Sequence, residues 1–143
     1  MKSHLIPKRR RRLFGVIVVA IFALAAAGVS QGSTSESSAV SPIYKHHDDC
    51  ATPTDKKTIG RATFTKAGSI VTLKVSLHGA DPGPNYLYLY TGDCNDYFYL
   101  GKFKVDASGD GSKVGSVDVS GYGNTFFADV YGTTDNESDI VTL

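Results

Sequence analysis

The chain has no tryptophan, one methionine and two cysteines in 143 residues. Histidine is almost as scarce: His4, His46, His47 and His78 are the full set, and none follows position 78. A centre built from several imidazoles therefore has little to draw on. No stretch carries sustained helical periodicity with caps, so helical classes are excluded. No glycine-rich loop opens a helix, which removes the usual phosphate cradle. No nucleophile motif is present, and no paired carboxylates stand out as an acid/base couple. A long apolar run occurs once, over residues 13–27, interrupted only by Gly15.

That run reads as a targeting signal. Residues 1–12 carry Lys2, Lys8, Arg9, Arg10, Arg11 and Arg12, a basic start, and Ala25-Ala26-Ala27 supplies the small side chains a signal peptidase accepts. Residues 1–27 are thus expected to be a signal peptide, with an uncleaved membrane anchor as the alternative. In either case the basic start places the rest of the chain outside, secreted or on the cell surface. The Arg11-Arg12-Leu13-Phe14 match to a twin-arginine signal leaves Sec and Tat export both open. Residues 28–45 are rich in Ser, Thr, Gly and Gln and read as a flexible linker. Residues 46–143 are the expected folded domain.

Export changes the charge. Six of the 15 basic residues lie in residues 1–12, leaving nine against 14 acids, a net charge near −5. A mildly acidic domain has no electrostatic footprint for phosphate backbones, so nucleic acid is not an expected partner. Cys50 and Cys94 read as a disulfide in an oxidising compartment, with a reactive or metal-binding thiol pair as the alternative. A loop of that length contributes about 3–4 kcal/mol in the chain-entropy model.

From Lys57 onward, short segments rich in Val, Ile, Thr, Tyr and Phe alternate with Gly, Asp, Asn and Ser clusters. In 69–77, Val71, Leu73, Val75 and Leu77 point one way and Thr72, Lys74 and Ser76 the other. In 85–91, Leu87 and Leu89 oppose Tyr86, Tyr88 and Tyr90; in 99–105, Phe103 and Val105 oppose Lys102 and Lys104. Further strands are expected at 58–65, 113–120, 125–132 and 140–143, with 66–68 a short hairpin, 80–84 a proline-broken loop and 135–139 a polar loop. Seven short antiparallel strands at this spacing predict an all-β, Greek-key, immunoglobulin-like sandwich of two sheets with one disulfide.

Three segments carry a family resemblance: Gly60-Arg-Ala-Thr-Phe64; Val71, Leu73, Val75, Leu77 running into His78-Gly79-Ala80 and Pro82-Gly83; and Tyr88-Leu-Tyr-Thr-Gly-Asp-Cys94. Together they resemble the copper/zinc superoxide dismutase sandwich and, equally, the dismutase-like and CHRD-type domains of secreted bacterial proteins. The resemblance covers about half the chain. In the dismutases, the strand before the Gly-Asp turn carries two copper-binding histidines at i and i+2. Tyr88 and Tyr90 stand at those positions, and no histidine downstream supplies the remaining ligands. The resemblance thus implies the fold without bound metal and without dismutase activity; no cofactor is expected.

Three clusters merit separate readings. His46, His47, Asp48 and Asp49 form a ligand-rich segment that would serve a metal-binding or redox protein; neighbouring residues of an extended chain point in opposite directions, which favours a solvated lead into Cys50. Asp106, Ser108, Asp110 and Gly111 match the start of a calcium loop, but position twelve is Val117 and a turn needs the same residues. Tyr86, Tyr88, Tyr90, Tyr97 and Tyr99 read either as a binding face or as a cross-strand ladder worth about 0.2–1 kcal/mol per pair. For catalysis, His78 at a strand end is the sole histidine of the strand region, with no partner motif. The expected function is a non-catalytic recognition or adhesion module using the tyrosine face on an extracellular protein or polysaccharide. The alternatives are the metal-binding or redox reading of 46–49 and a self-associating envelope protein.

Overall fold

The computed structural model describes residues 35–45 and 57–143. It is all-β there, with nine strands: β1 Glu36–Lys45, β2 Thr58–Ala67, β3 Ile70–Leu77, β4 Gly83–Thr91, β5 Tyr97–Val105, β6 Gly111–Asp118, β7 Thr125–Tyr131, β8 Asp135–Ser138 and β9 Val141–Thr142. They form one antiparallel sheet in the order β5-β4-β7-β8-β1-β2-β3-β6, with β9 added to β7.

The sheet is nearly closed into a barrel. A Cβ placed on Gly115 of β6 would come within 2.7 Å of the Leu100 side chain of β5, so the two ends of the sheet meet face to face. This corrects the expected seven-stranded, two-sheet arrangement. The count rises because two segments that looked too polar to fold are strands. Residues 36–45, expected to belong to the flexible linker, pair with β2 along their whole length and bury Ser41 and Ile43. Residues 135–138, expected to be loop, become β8 between β7 and β1. Both strands are polar in composition, yet each is held by ladder hydrogen bonds on two sides, which composition alone does not register.

Inside, the period-two pattern holds. Phe64, Val71, Leu73, Val75, Leu77, Leu87, Leu89, Phe126, Ala128 and Val130 are fully buried in one core. Proline is tolerated where one side of a strand is unpaired: Pro42 precedes the β1–β8 ladder, and Pro84 precedes the β4–β7 ladder. The β2–β3 hairpin turns at Gly68, whose φ of 60° suits glycine.

One irregularity positions the tyrosines. The β4–β5 register shifts between Leu87 and Tyr88: Leu87 faces Gly101 and Tyr88 faces Tyr99, leaving Leu100 as an extra residue. Gly101 takes φ 119° there. Strict alternation back from Val105 and Phe103 would turn Tyr99 inward. The bulge reverses the phase, so Phe98 and Leu100 pack on the core and Tyr97 and Tyr99 face out.

Candidate functional site

The outer face of β5, β4, β7 and β8 is aromatic and acidic. From β4 come Tyr86, Tyr88 and Tyr90, and from β5 Tyr97 and Tyr99, which are 60% and 56% exposed. The turn between the strands sets this juxtaposition. The Thr91 hydroxyl donates to Asp93 at 2.6 Å, and the Thr91 amide donates to the Asp96 carbonyl at 3.0 Å. The Thr91 hydroxyl and Asn95 hold the Asp93 carboxyl below its usual range.

The structure brings all five expected tyrosines together. Tyr88 packs against Tyr99 and Tyr97 with ring centroids at 5.4 and 5.8 Å, Tyr90 stacks on Tyr97 at 5.3 Å, and Tyr86 meets Tyr99 at 6.5 Å. Burial, followed by the negative charges nearby, raises the Tyr88 and Tyr90 phenols above their ordinary value, so both remain protonated donors. Lys102 Nζ lies 5.6 Å from the Tyr86 centroid, over the ring.

The next strand adds what sequence reasoning missed. On β7, Phe127, Asp129 and Tyr131 stand opposite Tyr90, Tyr88 and Tyr86, and on β8, Glu137 and Asp135 stand opposite Asp129 and Tyr131. Stacking on Tyr90 at 5.1 Å, Phe127 extends the aromatic row. Asp129 is only 6% exposed. Burial and then the neighbouring Asp135 and Glu137 carboxylates push its acid up to about 8. It is hydrogen-bonded to Asp135 through one oxygen, while Oδ1 is buried with no partner. Tyr88, Tyr90, Tyr97, Tyr131, Asp129 and Asp135 line a cleft of about 330 Å³. The signal for this is present in the chain: 125–131 alternates Phe126, Ala128 and Val130 against Phe127, Asp129 and Tyr131. What it cannot reveal is that β7 lies beside β4, a pairing between strands far apart in sequence.

The other singled-out residues fall elsewhere. His46, His47, Asp48, Asp49 and Cys50 lie outside the described residues, as do the targeting segment and most of the linker. Cys94 sits on the β4–β5 turn at φ 65°. His78 Nδ1 is 2.7 Å from Asp110 on the exposed rim. Asp106 closes the β5–β6 turn, its Oδ1 accepting from the Ser108 and Asp110 amides at 2.9 and 3.0 Å. Among the described residues, no group of three or more His, Cys, Asp or Glu side chains is arranged to hold a metal ion. A second cleft of about 650 Å³ lies on the opposite half, lined by residues such as Arg61, Thr63, Lys74, Ser76 and His78. Comparison with family models, curated proteins and solved structures finds no match.

Proposed function

We propose that this chain is an exported, non-catalytic recognition module whose tyrosine face binds a protein or polysaccharide outside the cell. The observation that carries this reading is the outward row of five phenols, two of them more than half exposed on a rigid sheet. Tyrosine offers large contact area with few rotamers to freeze and a polar tip for hydrogen bonding. A ladder needed only for stability has no reason to turn Tyr97 and Tyr99 outward through a bulge and leave their faces open.

Within the same proposal, the chain is a relative of the dismutase-like and CHRD-like domains, with Tyr88 and Tyr90 in place of copper-binding imidazoles. The neighbour order β7-β4-β5, with β6 beyond, is consistent with a Greek-key connection. The basic and apolar start supports export, and export supports a Cys50–Cys94 disulfide that ties the chain after β1 to the turn beneath the tyrosines. Self-association through sheet edges is less well supported: β5 and β6 face each other, and Lys102, Lys104 and Lys113 stud both edges.

The test is retention of the exported protein on immobilised extracellular polysaccharides and purified matrix proteins. Tyr97→Ser with Tyr99→Ser should weaken retention by about tenfold or more, the scale of losing aromatic anchors, with the melting transition almost unmoved. Equal retention of variant and wild type, or none by either across the panel, overturns the proposal.

A further inference from the structure

We infer that the cleft between Tyr88, Tyr90, Tyr97 and Tyr131, floored by Asp129 and Asp135, binds an organic ammonium group. This rests on the reading of the tyrosine face as a recognition surface and names the chemistry that surface selects.

Three observations lead there. First, the walls are phenol rings from three strands, a set of π faces that attracts cations. The face already does so within the chain, since Lys102 lies over Tyr86. Second, the floor is acidic, and none of the six lining residues is basic. Third, Asp129 is more than nine-tenths buried and opens onto this cleft, with Oδ1 lacking a hydrogen-bond partner. A buried acceptor without a donor is costly, so a positive charge held in the cleft beside Asp129 is favoured. The fit is poorer for a metal ion, because phenols and two carboxylates supply few hard ligands and, among the described residues, no group of three or more His, Cys, Asp or Glu side chains is arranged to hold one. An ammonium group uses walls and floor together.

Linkage to protons follows from the surroundings of Asp129. Facing it are Tyr88 and Tyr90 from β4, Tyr97 from β5, Glu137 and Asp135 from β8, and Tyr131 from its own strand; Tyr44 of β1 lies beyond, opposite Glu137. A bound cation favours the ionised carboxylate, so affinity for a permanently charged ligand should rise as pH climbs from 6 to 9.

The experiment is an amide-detected NMR titration of the exported protein with three probes: choline, Nα-acetyl-lysinamide and 3,3-dimethyl-1-butanol, the neutral isostere of choline. Saturable shifts at Tyr88, Tyr90, Asp129 and Asp135 with the charged probes are expected, at least about tenfold tighter than with the isostere. Preference between the two charged probes separates a quaternary headgroup from a lysine side chain. Asp129→Asn, which keeps the shape of the floor, and Tyr97→Ser, at an exposed position, should each weaken choline binding. Equal response to choline and its isostere, no saturable response to either cation, or an Asp129→Asn protein that binds choline as wild type does would overturn the inference. Tyrosine-dependent retention on an uncharged polysaccharide in the same preparations would leave the recognition reading standing while this inference fails.

Discussion

The two halves of the sheet share one interior and differ completely outside. On β2, β3 and β6 the outward residues are mostly small or charged, Arg61, Thr63, Thr65, Thr72, Lys74, Ser76 and Ser116, with Ile70 and Val114 as exposed aliphatics and a cross-strand hydrogen bond of 2.8 Å between Thr72 and Ser116. On β5, β4, β7 and β8 the outward positions hold six tyrosines, Phe127 and the buried acids Asp129 and Glu137. The first face is what a half-buried sheet needs to remain soluble. The second keeps a carboxyl out of water and leaves large rings open. The proposed recognition reading assigns this contrast to binding on the aromatic face.

Substitutions can break or sharpen that contrast. The largest effect is expected in the shared interior: Leu73→Ala and Leu89→Ala, both fully buried, should each cost about 2–5 kcal/mol in urea unfolding. Similar losses on both halves would show that the difference is confined to the outside. Next comes Asp129→Asn. The acid sits at about 8 in the folded protein against an ordinary 3.8, so the folded state holds its proton over that interval and the unfolded state does not. Its stabilising effect is full below about pH 4 and is lost as pH rises through about 8. Wild-type stability should therefore fall from pH 5 to 8.5. The Asn variant should flatten that slope and gain on the order of 2 kcal/mol at the alkaline end, checked by unfolding at several pH values. Tyr97→Ser should cost under about 1 kcal/mol, since its ring makes cross-strand contacts but remains mostly exposed. The smallest change belongs to the polar half, where Thr72→Ala removes one exposed hydrogen bond and should move stability by no more than about 0.5 kcal/mol.

Much of this is legible in the amino-acid sequence alone. The alternation of Val71, Leu73, Val75 and Leu77, and of Leu87 and Leu89 against the tyrosines, predicts which side chains are buried, because period-two burial is local. The five tyrosines stand out as a group for the same reason. Three features are not legible in that way. Glu36–Lys45 and Asp135–Ser138 owe their extended form to neighbours on both sides rather than to apolar content. The outward turn of Tyr97 and Tyr99 depends on a bulge at Gly101 that alternation cannot foresee. The acid floor requires β7 to lie beside β4 and β8 beside β7, and strand order is a property of closing the sheet, not of any one segment.

The direct test of this account is a carbon-13 NMR titration of the Asp129 side-chain carboxyl in the folded protein. A midpoint near 8 is expected, moving down when choline is added. A midpoint at the ordinary 3.8, unmoved by choline, would mean that the carboxyl is hydrated and that no buried acid floors the tyrosine face.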